Sequence, residues 1–118
     1  MTRATLRTML VRSGLQVIGE ASNGNNGYEL VMKLKPQVVC LDIVMPDISG
    51  IDVLKQLRNE FERMVVLMVS SERNVATIKQ CLSLGASGFI IKPFNEATVL
   101  KSIRDAVLRA GMTMPNGL

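Results

Sequence analysis

Apolar residues recur along this chain in two alternating rhythms, one spaced for helices and one packed into short continuous runs. Leu6, Met9 and Leu10, with Ala4, form a stripe between Thr2 and Arg12, while Arg3, Arg7 and Arg12 lie off it. This predicts an amphipathic helix that stops near Ser13-Gly14. Leu15 to Ala21, carrying Val17 and Ile18, predicts a strand closed by Ser22-Asn23-Gly24. Asn25 or Asn26 is placed to cap a second helix, with Leu30, Val31 and Leu34 inward, Glu29 outward and Tyr28 at the edge of that face. Pro36 breaks this helix, and Val38 to Leu41 follows as a strand buried on both faces that runs into Asp42. Ser49 or Gly50 opens a third helix through Val53, Leu54 and Leu57. Val65 to Val69 is a fully apolar strand ending in Ser70-Ser71-Glu72, and a fourth helix from Asn74 stops at Gly85. Gly88 to Ile91 is a short strand that delivers Lys92-Pro93-Phe94. A last helix runs from Asn95 to about Ala110 with Val99, Ile103, Ala106 and Val107 inward. Residues 1–112 thus form the domain, and residues 113–118 read as a loose tail.

The order α-β-α-β-α-β-α-β-α implies four strands with right-handed crossovers, in a mostly parallel sheet covered on both faces. A chain of 118 residues is one domain of this kind. Its 47% hydrophobic content includes only Tyr28, Phe61, Phe89 and Phe94 as aromatics, so the core is aliphatic. Cys40 and Cys81 sit in apolar segments and suit a reducing compartment. The absence of His removes histidine-based acid–base chemistry and argues against a zinc cluster. There is no signal-peptide pattern and no apolar run of membrane-spanning length, so a cytoplasmic protein without membrane contact is expected. The net charge of +4 is scattered over the helices without a basic block or a nucleic-acid motif, and direct nucleic-acid binding is not expected.

Candidate chemistry lies at the strand ends. Asp42, the Ser70 hydroxyl and Lys92 each follow an apolar strand, and in a parallel sheet such ends share one edge. A carboxylate there can accept a phosphoryl group, with an ammonium and a hydroxyl holding its oxygens. The plainer alternative is a Lys92–Asp42 salt bridge with Ser70 capping the fourth helix. Composition and spacing leave both open. Gly24 and Gly27 form no nucleotide fingerprint, and Met32, Met45, Met64 and Met68 lie in apolar stretches as packing residues.

The pieces Asn23-Gly24, Pro36 through Asp42, Met45-Pro46 through Gly50, Ser70-Ser71-Glu72, Gly85 through Phe89 and Lys92-Pro93-Phe94 occur in order. With them the chain resembles the receiver domain of bacterial two-component response regulators, the CheY-like superfamily, from about Arg3 to Arg109. The resemblance implies a flavodoxin-like three-layer α/β/α fold with sheet order 2-1-3-4-5. It implies Asp42 as phosphoacceptor from a histidine kinase or phosphotransfer protein. Ser70 becomes the hydroxyl that reports phosphorylation, Lys92 the contact to the phosphoryl oxygens and Phe89 the aromatic switch. Val44 becomes the residue whose backbone carbonyl helps to hold Mg2+. Such a domain is a signalling switch and not an enzyme.

The departure is N-terminal. Receivers begin with an apolar strand followed by two adjacent acidic residues that help to bind magnesium, and here only Met1-Thr2 precedes the first helix. The expectation is therefore an N-terminally truncated receiver with the first β-strand missing, four strands remaining, and weak or absent magnesium binding through Asp42 and Val44. Phosphorylation of Asp42 in a phosphorelay is expected to be weak. The alternative is a degenerate receiver acting as a phosphorylation-independent protein-interaction module. The missing strand is central in the family sheet, and its loss leaves backbone groups to be paired and a slot in the core. Closure of the surviving strand, filling by a partner, or a shortened form of an ordinary receiver are the three outcomes, and a homodimer is expected.

Overall fold

The computed structural model describes residues 3–71 and 73–114. Five helices, α1 (Arg3–Arg12), α2 (Gly24–Leu34), α3 (Gly50–Glu60), α4 (Val75–Ser83) and α5 (Glu96–Arg109), alternate with β1 (Val38–Asp42), β2 (Val65–Ser70) and β3 (Gly88–Ile91). The sheet is parallel in the order β1-β2-β3, with Val39 opposite Val66 and Met68 opposite Phe89.

β2 explains the layering. Its side chains alternate between two apolar compartments, and every residue from Val65 to Ser70 is buried. Val65, Leu67 and Val69 join Val99, Ile103 and Val107 of α5, with Leu6 and Leu10 of α1 against them. Val66 and Met68 join Val31 of α2, Val53, Leu54 and Leu57 of α3, and Cys81 of α4. The period-two alternation of strands thus feeds two helical layers at once. Arg58 closes the lower end: its guanidinium donates to the carbonyls of Phe61, Glu62, Met64 and Gly85, and burial lowers its pKa.

Two expectations require correction. Four strands were expected, yet Leu15–Ala21 forms no strand, and the sheet of the described residues has three. A strand exists only where another backbone pairs with it. Among the described residues, no neighbouring strand lies beside this segment. Between it and β1 opens a cavity of about 650 Å³, lined among others by Leu10, Val17, Leu30, Leu34, Cys40 and Ile103. Ile18, expected within a core strand, is 49% exposed. The second correction concerns β1, expected to be buried on both faces. Only Leu41 is fully buried there, because the same cavity runs along its edge. A slot was expected beside β1, and Leu15–Ala21 does not close it.

The tail also contributes to the core. Met114 is 8% exposed and packs in the α5 compartment beside Met112. Residues 115–118 of the expected tail lie outside the described residues.

A contrast between two substitutions tests this layout. Leu67→Ala should lower stability by about 3 kcal/mol, as for other fully buried leucines, whereas Ile18→Ala should cost less than about 1 kcal/mol. Urea unfolding midpoints of the two variants measure the difference. Equal losses would mean that Leu15–Ala21 is packed as a core strand.

Candidate functional site

The register brings the three candidate residues to one edge of the sheet. Asp42 ends β1 opposite Val69, and Ser70 ends β2 opposite Ile91. The Lys92 N–H donates to the Ser70 carbonyl at 2.8 Å, which ties the end of β3 to the end of β2. Lys92 Nζ then reaches Asp42 Oδ1 at 3.0 Å. The pair is partly open to solvent: the Lys92 and Asp42 side chains are 30% and 43% exposed. Ser70 is buried beside them. The Lys92–Pro93 peptide is cis.

The loop after β1 is held from two sides. Gly50 N–H donates to the Ile43 carbonyl at 2.7 Å, and a Cβ on Gly50 would fall 1.9 Å from the Asp42 carbonyl oxygen. Since the obstacle is main chain, only glycine fits there. Ser49 caps α3 by accepting from the Ile51 N–H at 3.1 Å. At the other end of the loop, Asp47 Oδ1 and Oδ2 accept from the N–H groups of Gly24 and Asn25 at 2.8 and 2.9 Å. Asp47 therefore clasps the start of α2 to the loop that follows Asp42. Nothing local in the sequence announces this, because the partners are 23 and 22 residues apart. The helix itself is capped by Asn23, whose side chain accepts from Asn26 N–H, and not by Asn25 or Asn26 as expected. Asn23 has the extended backbone that a cap requires, with φ −147°.

Three further side chains complete the surroundings. Phe89, half-buried, packs with the α3 compartment. Val44 is 86% exposed in the loop, two residues beyond Asp42. Cys40 lies two residues before Asp42 and lines the slot; burial first, and the Asp42 charge second, push its thiol up to about 12.

A resident magnesium ion does not fit this donor set. One Asp42 oxygen already faces an ammonium at 3.0 Å, and both Asp47 oxygens face backbone N–H groups. Among the described residues, no group of three or more His, Cys, Asp or Glu side chains is arranged to hold an ion. Magnesium prefers a near-octahedral oxygen shell anchored by carboxylates and phosphate.

The model of the response regulator receiver domain matches residues 1–104. The chain belongs to the receiver domain family. It is 32% identical to the chemotaxis protein CheY of Thermotoga maritima over 101 residues, 86% of this chain and 84% of that protein. It is also 32% identical to the transcriptional regulatory protein LnrK of Bacillus subtilis over 116 residues. That match takes in 98% of this chain and about half (52%) of LnrK. Among solved structures, a chain of the CheX–CheY–BeF3–magnesium complex from Borrelia burgdorferi superposes with a TM-score of 0.82 at 29% identity. The superposition covers 85% of this chain and 76% of that one. Receivers are phosphoacceptor modules of two-component signal transduction and not catalysts of a substrate reaction. Asp42 and Lys92 pair at the strand ends beside the buried Ser70, and among the described residues no group of three or more His, Cys, Asp or Glu side chains is arranged to hold an ion. No helix among the described residues is long and apolar enough to cross a membrane.

The Asp47 clasp has a pH signature. Its carboxyl is held below the ordinary range first by the Asn25 N–H, then by those of Gly24 and Ile48, while desolvation pulls the other way. A lowered folded-state pKa stabilises above the unfolded value and loses that contribution as pH falls through the folded value. Asp47→Asn should therefore be less stable than the wild type at neutral pH. The gap should close as pH falls below the ordinary value of 3.8, as read from urea midpoints between pH 7 and 2.5. A gap independent of pH would remove the charge from the account.

Proposed function

We propose that this receiver domain works mainly as a phosphorylation-independent protein-interaction module in a two-component pathway. The supporting observation is the composition of the acceptor edge: Asp42 faces Lys92 at 3.0 Å, with no ion-holding acidic cluster among the described residues. Without such a cluster, Lys92 is the cation that the described residues place against Asp42 to offset charge on an incoming phosphoryl group, which supports slow transfer. The Asp42–Lys92 pair then serves as a fixed tie between the ends of β1 and β3. Partners recognise the folded surface, and membership of the receiver family points to histidine kinases or phosphotransfer proteins of two-component systems as their class.

The convergence of Asp42, Ser70 and Lys92 favours a second reading, slow phosphoacceptance. There, an Asp42 carboxylate oxygen forms the new P–O bond while the donor's bond to phosphorus breaks and its electron pair leaves with the donor. Lys92 Nζ holds the phosphoryl oxygens, the Ser70 hydroxyl engages one of them, and Phe89 is the switch residue that follows. In this reading the Val44 carbonyl would be a main-chain contact for magnesium, which would offset phosphoryl charge, although no group of three or more His, Cys, Asp or Glu side chains among the described residues is arranged to hold the ion.

Intact-mass spectrometry after incubation with acetyl phosphate and magnesium separates the two. The module reading predicts no added phosphoryl group on the wild type at times when an ordinary receiver is labelled. Addition to the wild type that is absent from Asp42→Asn would instead establish Asp42 as a working acceptor.

A further inference from the structure

Basic charge gathers at the lower end of the sheet, where β2 and β3 begin. A depression of about 470 Å³ there is lined by Arg58, Arg63 and Arg109, with Glu62 as a carboxylate on its wall. Among the described residues, none of these four side chains enters an ion pair.

Two of the guanidiniums are fixed in place. Arg58 donates to the Gly85 carbonyl at 2.7 Å, and Arg109 donates to the Ser87 carbonyl at 2.6 Å. These carbonyls are two residues apart, so a stretch of backbone about 7 Å long holds both cations. Like charges kept this close repel, and no carboxylate among the described residues bridges them. Arg58 and Arg109 lie in the last turns of α3 and α5, where a cation complements the carbonyl end of a helix. That accounts for two of the three. Arg63 lies outside both helices, is exposed, and makes no side-chain hydrogen bond to the described residues.

Many donors are left over. A guanidinium has five N–H groups. Arg109 commits one of them to the described residues and Arg63 commits none. The buried Nε of Arg58 also has no partner there. Ser87 Oγ accepts from the Val66 N–H at 3.0 Å, and among the described residues its own proton has no acceptor.

The chemistry of the counterpart follows. Three guanidiniums against one carboxylate leave two positive charges. A phosphate monoester carries nearly two negative charges at neutral pH and three acceptor oxygens, which suit the arginine fork. Because Arg58 and Arg109 are already anchored, binding has little ordering left to do. The volume is that of a small-molecule site.

We propose that this depression binds a small soluble phosphate monoester. Arg63 and Arg109 bond its phosphate oxygens, Ser87 Oγ donates to one of them, and Arg58 adds its charge. The site lies at the opposite end of the six-residue β2 from Ser70, about 17 Å away. It goes beyond the interaction-module reading and needs no phosphoryl chemistry at Asp42.

The test titrates the isotope-labelled whole chain with glycerol phosphate at about pH 7.5, where the ester is a dianion, and follows amide shifts at constant ionic strength. Saturable shifts are expected at Arg63, Ser87 and Gly88, with a Kd on the order of 1 mM. Arg63 is exposed and without a partner among the described residues, so Arg63→Gln leaves the fold intact. It should weaken binding about tenfold. Lys79→Gln removes the same charge from the exposed side of α4 and should change the affinity less than about twofold. Dimethyl phosphate, with one charge and two terminal oxygens, should bind at least about fivefold more weakly. Shifts that do not saturate, or that are confined to Ser70 and Lys92, would overturn the assignment. Equal weakening by Arg63→Gln and Lys79→Gln would reduce it to attraction by net charge, and equal binding of dimethyl phosphate would remove the dianion. Glycerol phosphate is not an activated phosphoryl donor, so every outcome is separate from the mass test of Asp42.

Discussion

A strand directs alternate peptide groups to its two edges, so β1 can satisfy β2 with only half of its backbone. The other half, at Val38, Cys40 and Asp42, faces a cavity. Much of what is unusual here follows from that constraint. β1 is half-buried where a central strand is dry, and Ile18 and Leu34 are exposed although both belong to apolar patterns. Leu15–Ala21 runs beside the cavity without becoming a strand.

What keeps the fold together in spite of the open edge is β2. It is hydrogen-bonded on both sides and buried on both faces, and it divides the apolar residues into two compartments. The strand ends that carry Asp42, Ser70 and Lys92 inherit this rigidity. Ser70 is the last residue of β2, Lys92 hangs from its carbonyl, and Asp42 is one strand away. The loop beyond Asp42 is fixed by contacts of a different kind, main chain against Gly50 and the Asp47 carboxylate against α2. Thus Asp42, Ser70 and Lys92 meet at one end of the sheet, and among the described residues no group of three or more His, Cys, Asp or Glu side chains is arranged to hold an ion.

How far the sequence could be read follows the range of the forces involved. β2 and β3 were legible because continuous apolar runs between turn residues specify buried strands, and the convergence of Asp42, Ser70 and Lys92 followed from parallel order. α3 and α5 were legible from the spacing of Val53, Leu54 and Leu57, and of Val99, Ile103 and Val107, with Ser49 and Asn95 as caps. Leu15–Ala21 has the composition of a strand, but pairing depends on a partner that local composition does not encode. The Asp47 clasp and the close approach of Gly50 to the Asp42 carbonyl join segments distant in sequence or pressed together by a turn. Neither leaves a periodic trace. The cap of α2 was displaced by two or three residues, because several consecutive positions there offer a capping oxygen and backbone conformation decides among them.

The central claim is that the outer edge of β1 is open in the isolated chain. Native-state amide hydrogen exchange, read residue by residue, tests it directly. Val39 and Leu41, whose N–H groups face β2, should exchange at least about tenfold more slowly than Val38 and Cys40, whose N–H groups face the slot. Equal protection of all four amides would contradict the account, because the edge would then already be paired.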